Sequence, residues 1–430
     1  MRALLPLVAS ALVAALLVST WHHLAGQRYI DFYNPWTVTL GHRALGGNPY
    51  ADGDAYSRLA NLVADTGGNA ALRATNAERR VIDPTGTPLY YTAFAWLPES
   101  FELGYGIVAA ALLAALLGSV AALSRLRGLS GWAAAALAAC AALLYLPFEV
   151  DLRVGNVNAL QLAAIVAFIY AARRWRDGHR GLAQELYLPA LALLVMFKPS
   201  IALVAAALVA NFACVRGIPA TIRGALWSTG ALGLGFAASS LYFHSARVWG
   251  QWWSSLHDAN GGTLLYPVGI GNASLAKLLS ERWGVQPYVA GALLGAAIAL
   301  FAAAAITSRG KDVARGRARL GRMLGDAEAM ASIGVLFTFA MSPLLWPHYE
   351  VLALLPIFFL FGRGPRDATS GWVALSCVML SRPLAQAFDL LGIPGATLTV
   401  LMLGWLPLVV ALCLWLAPGS DAGTKPLEHG

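Results

Sequence analysis

The sequence predicts an all-α, polytopic membrane protein: a bundle of about eleven or twelve spanning helices with a helical first outer loop. Hydrophobic residues fill 58% of the 430 positions and charged residues only 12%, whereas a soluble domain carries about 25% charged residues. Mean hydropathy is +0.62, more apolar surface than one folded chain can hide from water. Apolar runs also alternate with short loops that hold most of the arginines. The net charge of +8 therefore reads as an orientation signal at a membrane, and nucleic acid is not expected as a partner.

Taken in order, the predicted spans are 3–21, 104–123, 132–148, 157–173, 225–243, 286–306, 328–345, 350–362, 371–389 and 396–417. The N-terminal run is read as an uncleaved helix, because no small-x-small cleavage site follows it. The stretch from Leu186 to Cys214 is long for one span and is interrupted by Lys198-Pro199. Basic loops flank it on both sides, at Arg173–His179 and at Arg216 and Arg223. A hairpin turning at Lys198-Pro199 keeps both loops inside, which a single helix would not. The loops Ser124–Gly128 and Gly362–Asp367, and the basic 307–327 loop, then fall inside as well. The outer side receives 22–103, 244–285 and short turns at Asp151–Asn156, Lys198 and Trp346–Glu350. Residues 1–430 form one integral membrane domain, and the polar tail 418–430 is expected to be disordered.

The first outer loop is more than a linker. TVTLGHRAL, DAYSRLANLVAD and NAALRATNAERR carry apolar residues at three- and four-residue spacing, which predicts short helices lying along the interface. TPLYYTAFAWLP then returns to the membrane with four aromatic residues, as suits the interfacial belt. Cys140, Cys214, Cys377 and Cys413 lie in or beside apolar runs and read as small packing residues. GALLG at 291–295 reads as a helix-packing motif.

This topology gathers Asp31, Asp151, Arg153, Asn156, Lys198, His257, Asn272, His348 and Glu350 at the outer face. Ionisable groups beside apolar segments are costly, and a group of them marks a candidate site. Asp31, just after the first span, suits a general base for a hydroxyl, a helix cap, or a partner for a loop arginine. Lys198 is one of only four lysines; it suits a lipid-linked phosphate, or it snorkels from a helix end. Arg153 suits the same phosphate through two hydrogen bonds, or an ion pair with Asp151. Asn156 opens a helix whose free N–H groups would favour an anion. His348, in a break between apolar helices, reads as a phosphate or hydroxyl partner or as a structural residue.

Weaker signals point elsewhere. Asp52-Gly53-Asp54 resembles a cation-holding pair but follows an Asn-Pro-Tyr turn and is read as turn. No metal motif such as HExxH is present, and GIGNAS lacks the spacing of a phosphate loop. Neither a metal nor a cofactor is expected.

Five stretches in order resemble glycosyltransferase family 87, the DUF2029 group, with its GT-C membrane fold. They are Asp31-Phe32-Tyr33 with GGNPYAD, the return near Tyr90-Tyr91, GNVNALQL at 155–162, MFKPS at 196–200 and MSPLLWPHY at 341–349. The chain departs from the family pattern at Asn156, often glutamine there, at Leu-Tyr-Tyr-Thr in the return, and in an extra stretch near 61–82. The resemblance implies a polyprenyl-phosphate-sugar donor, mannose by family habit, used as substrate and not as cofactor. It implies a glycolipid or glycan acceptor, and a multi-pass protein of the bacterial inner membrane with its site facing the periplasm. It maps the general base onto Asp31, the donor-phosphate cation onto Lys198 and the tryptophan-histidine turn onto His348; Arg153 and Asn156 join the phosphate group on the residue argument alone. Tyr33, Tyr50, Trp346, Glu350 and Asn272 are the expected acceptor and sugar contacts, with Trp36, Trp252 and Trp253 as candidate sugar platforms. A lipid or solute transporter, or a non-catalytic subunit of polysaccharide assembly, is the alternative reading of the same bundle.

Overall fold

The computed structural model describes residues 30–66, 86–176, 181–262, 271–307, 320–361, 366–393 and 395–417, with positions 11, 15 and 268. Apart from positions 11 and 15, the expected span at 3–21 lies outside these residues, as do the helix expected at 69–80, most of the basic 307–327 loop and the 418–430 tail. The 22–103 loop holds α1 (Ile30–Leu45) and α2 (Gly53–Thr66), and α3 (Pro88–Ala93) closes it. Next come α4 (Phe101–Leu126), α5 (Gly131–Leu144), α6 (Leu146–Val154), α7 (Asn158–Arg176), the short α8 (Leu182–Glu185) and α9 (Tyr187–Phe197). A 3-10 turn at Pro199–Ile201 leads into α10 (Ala202–Arg216) and α11 (Ile218–Tyr242). The 244–285 loop carries α12 (Val248–Gly262) and α13 (Leu275–Trp283). Then follow α14 (Pro287–Thr307), α15 (Ala327–Met341), a 3-10 helix at Pro347–Ala353 and α16 (Leu354–Leu360). The last four are α17 (Arg366–Met379), α18 (Arg382–Leu390), α19 (Ala396–Gly404) and α20 (Leu406–Leu416).

Among the described residues, four helices are long and apolar enough to cross a membrane: Phe101–Leu126, Pro199–Arg216, Pro287–Ile306 and Ala396–Leu416. Leu146–Val154 and Asn158–Trp175 pass the same test only when taken as a pair, which is bent by 119°. Large apolar side chains such as Leu226, Trp227 and Leu241 on α11, and Leu300 and Phe301 on α14, are exposed. In water such faces would aggregate; against lipid they are at home. The chain is an all-α polytopic membrane protein.

Several expected full spans are broken. The 328–345 run ends as helix at Met341, 350–362 begins as a 3-10 helix, and 371–389 splits between α17 and α18. At that split Ser381 accepts from Leu384 N and a proline follows in the first turn. A hydropathy window misses such breaks, because one serine or proline hardly alters its mean. The short halves survive by packing among neighbours that shield their backbone ends.

Lys198-Pro199 turns the chain as the loop charges predict. Gly224 of α11 lies against Leu188 of α9, and Gly235 against Met196, so these two helices run the same way. The intervening α10 therefore runs back. It packs antiparallel to α15: Gly334 has no room for a Cβ, with Val204 Cα only 2.6 Å from that point, and Asn211 donates to Leu324 O at 2.7 Å. GALLG packs as expected, Gly291 against the backbone of Met341 and Gly295 against its side chain.

Helix α1 departs from the interfacial placement expected for it. Phe32, Tyr33, Trp36 and Val38 of α1 are at most 1% exposed: their face is turned into the protein core and not toward lipid. Of the four returning aromatics, Tyr91 and Phe94 are buried and Tyr90 packs against Tyr91, Phe94 and Phe197, while Trp96 alone is exposed. Apolar periodicity reports a buried face without saying whether lipid or protein covers it.

Candidate active site

The site begins with a glycine. Gly155 ends α6 in the left-handed region, at φ 71 and ψ 38, where a Cβ is costly. Its N–H and that of Asn156 both donate to Asp151 O, at 3.0 and 3.1 Å. A Cβ at Gly155 would lie 2.5 Å from Phe32 Cβ. The bare backbone lets the α6–α7 corner touch α1 one residue past Asp31, and the next residue, Asn156, reaches that carboxylate. Asp31 lies near the start of the described part of α1. Pro35 has no N–H to offer the Asp31 carbonyl one turn earlier.

Asn156 is the hub. Its Nδ2 donates to Asp31 Oδ2 at 2.7 Å and lies 3.2 Å from His348 Nε2. Its Oδ1 accepts from Lys198 Nζ and from Val157 N. The charges fix this orientation, since a flipped amide would set its oxygen against a carboxylate and its NH₂ against an ammonium. The same contact makes His348 Nε2 an acceptor, so the neutral ring carries its proton on Nδ1. His348 Nε2 is 3.6 Å from Asp31 Oδ2. The Asp31 side chain is 25% exposed and that of His348 5%, so the carboxylate is the more accessible of the two.

Lys198 is held from three sides. It donates to Asn156 and, at 3.0 Å, to Asn158 Oδ1; its ammonium lies 5.1 Å from the centre of the Tyr349 ring, a cation–π distance. Asn158 in turn donates to Asp151 Oδ1 at 2.8 Å. Buried Asp151 also accepts from Ala159 N at 3.0 Å, capping α7. Two neutral amides thus stand between Lys198 and the two aspartates, which fixes the ammonium without a direct ion pair.

The His348 turn is strapped from behind. Asn272 accepts from Ser274 N and Leu345 N, both at 3.0 Å, and donates to Pro343 O at 3.2 Å. Ala273 N donates to Leu345 O at 2.7 Å. Gly271 lies flat against Trp346, where a Cβ would come within 2.5 Å of the ring. Trp346 stacks on His348 at 9°.

Asp31, Asn156, Lys198 and His348 are therefore brought together, with Trp346 beside them. Arg153 is exposed at the end of α6, away from the hydrogen-bonded cluster. Tyr33 is in the core, 0% exposed, beside Trp36. Trp36 itself is buried and donates to Glu99 O at 3.1 Å, which gives it a packing role. Tyr50 lies farther along the 22–103 loop and donates to Gly86 O at 2.6 Å. Asn272 works as the strap. Glu350 is fully buried; its backbone oxygen accepts from Tyr145 at 2.5 Å and its carboxylate has no hydrogen-bond partner. Asp52 accepts from Ala55 N at the start of α2, consistent with the turn reading. The side chain of His257 lies outside the described residues. Sequence reasoning missed Asn158 and Tyr349; both lie in the quoted stretches, but a second polar residue in a turn carries no mark of its own.

An apolar groove of about 580 Å³ lies between α9, α10 and α11, lined by Leu191, Val195, Pro199, Val209, Leu232 and Trp252 among others. Pro199, the residue after Lys198, is part of that lining, while Asp31, Asn156, Lys198 and His348 are not.

Among comparisons with known proteins, no curated protein and no solved structure matches the chain. The sequence profile of glycosyltransferase family 87 matches residues 83–343, more than half of the chain. With its apolar helices and its cluster of acid, amide, lysine and histidine, the chain belongs to glycosyltransferase family 87.

Proposed function

We propose that this glycosyltransferase moves a sugar, mannose by the family resemblance, from a polyprenyl-phosphate donor to a hydroxyl of a glycolipid or glycan at the outer membrane face. One observation carries the reading: a carboxylate and an ammonium share the amide of Asn156, in a chain that also holds an apolar groove lined in part by Pro199, the residue after Lys198. The groove suits the isoprenoid tail, and Lys198 suits the phosphate. Asp31 takes the proton of the acceptor hydroxyl as that oxygen bonds to the anomeric carbon. The bond from that carbon to the phosphate oxygen breaks on the opposite face, so configuration inverts. Polyprenyl phosphate leaves with the electron pair, and Lys198 stabilises the charge gathering there. Phosphate is a competent leaving group, so the second carboxylic acid of a glycosidase is not required. His348 keeps Asp31 company through the shared amide and presents Trp346 to the site.

The test is transfer of labelled mannose from polyprenyl-phosphate-mannose by the lipid-reconstituted full chain, with a crude glycolipid extract as acceptor. Label appearing in the extract only when the protein is present supports the reading. Intact donor after exhaustive incubation with both mannosyl and glucosyl donors contradicts it.

A further inference from the structure

A second cavity, of about 520 Å³, lies in the 22–103 and 244–285 loops and is lined by Tyr50, Arg247, Gly250, Gln251, Ser254 and Ser255 with Ala246. Its character is opposite to that of the apolar groove. Helix α12 stands between the two: Arg247, Gln251, Ser254 and Ser255 follow one another at three- and four-residue spacing on one face, and Trp249 and Trp252 on the other line the groove. One short helix thus presents water-compatible donors and acceptors on one side and apolar rings on the other.

The polar cavity is tied to the catalytic helix. Asn48, just past the end of α1, donates to Gln251 Oε1 at 2.9 Å. Tyr50 is pinned to Gly86 O and tilts over Tyr91, which meets Tyr90 edge-on. Asp31 is at the other end of α1, which rises about 22 Å over its length. A pocket at that separation would hold a remote part of a long acceptor and not its reacting hydroxyl. Binding energy from such remote parts can be spent on orientation at the reacting bond.

The lining states the chemistry. Hydroxyls, an amide and an aromatic ring suit a sugar. The exposed Arg247 guanidinium makes no hydrogen bond or ion pair with the described residues, and it suits an anion through a two-pronged contact. We infer that this cavity is a remote subsite for an anionic sugar, phosphorylated or carboxylated, carried by an extended acceptor. The role as an acceptor subsite rests on the transferase reading above; binding at the cavity does not.

The experiment is therefore a binding measurement that needs no turnover. Full-length protein in lipid nanodiscs is titrated by saturation-transfer NMR with trehalose 6-phosphate and with trehalose, which differ only by the phosphate. The wild type is expected to bind the phosphorylated disaccharide about tenfold more tightly, and Arg247→Gln to erase that preference. Gly250 has open space where a Cβ would stand, so Gly250→Leu fills the cavity without backbone strain and should abolish binding of both. Equal affinity for the two sugars in wild type, or a preference that survives in Arg247→Gln, overturns the inference. Dihexanoyl phosphatidylinositol and dihexanoyl phosphatidylglycerol separate the sources. Tighter binding of the inositol lipid, lost in Arg247→Gln, assigns the sugar to a glycolipid. Tighter binding of the free phosphorylated disaccharide assigns it to a glycan. Equal binding of both lipids makes the cavity a general headgroup site and overturns the sugar assignment. Loss of the subsite with mannose transfer intact removes this inference alone.

Discussion

Both ends of the helical bundle bury charge, and they do it in opposite ways. At one end Glu328, fully buried, takes Arg173 at 2.9 Å on one oxygen and Arg127 on the other. At the other end Asp31 and Lys198 meet only through the amide of Asn156, and Asp31 stays 25% exposed. Helix α15 connects the two, with Glu328 in its first turn and the His348 turn a few residues past its last. Direct ion pairs close an interface among α4, α7 and α15. In the other cluster neutral amides of Asn156 and Asn158 stand between the lysine and the aspartates. Burial alone does not separate structural charge from functional charge; what satisfies it does.

Substitutions can break this contrast. The largest expected effect is on chemistry: Asp31→Asn should lower sugar transfer by about a hundredfold or more, as for removal of a general base, with the unfolding temperature unchanged. Transfer at wild-type rate would move the base elsewhere, with Asp151 and Glu350 the next carboxylates. Glu328→Ala should do the reverse. It strands two arginines and should cost about 3–5 kcal/mol of stability, read as a lower unfolding temperature, while the surviving folded protein keeps its donor KM. A collapse of donor affinity in folded Glu328→Ala would show that the ends are coupled. Lys198→Ala should weaken donor use by about tenfold to a hundredfold and leave acceptor KM near wild type; an unchanged donor KM and kcat would remove it from the phosphate. Gly155→Ala is the mildest, at about 1–2 kcal/mol for a side chain in the left-handed region. Because its Cβ meets Phe32, transfer should fall more than stability does, and equal proportional losses would argue that the corner is only scaffold.

Much of this was legible in the sequence, unevenly. Composition gives the membrane class because no packing can hide so much apolar surface. Loop charge gives the Lys198-Pro199 hairpin because the orientation rule acts on residues a reader can count. Asp31, Lys198 and His348 stand out because an ionisable residue beside apolar runs needs a reason. The contacts that make them one site were not legible. Asn156 reads as a helix start favouring an anion, yet it delivers its amide to Asp31 because Gly155 turns left-handed against Phe32. Asn272 and Tyr33 read as sugar contacts, and they are a strap and a core residue; a polar or aromatic residue in a loop has the same signature either way. Arg153 follows Asp151 closely in sequence, yet the helical turn between them buries one and exposes the other.

The central claim is that Asn156 acts through Asp31, and a double-mutant cycle on sugar transfer tests it most directly. Wild type, Asp31→Asn, Asn156→Ala and the double variant would be assayed for transfer from polyprenyl-phosphate-mannose in the same lipid. If the two residues form one unit, the double variant is no slower than Asp31→Asn alone, because the amide has lost the carboxylate it serves. If the two losses multiply in full, Asn156 works independently of Asp31, and the shared-amide account of the site is wrong.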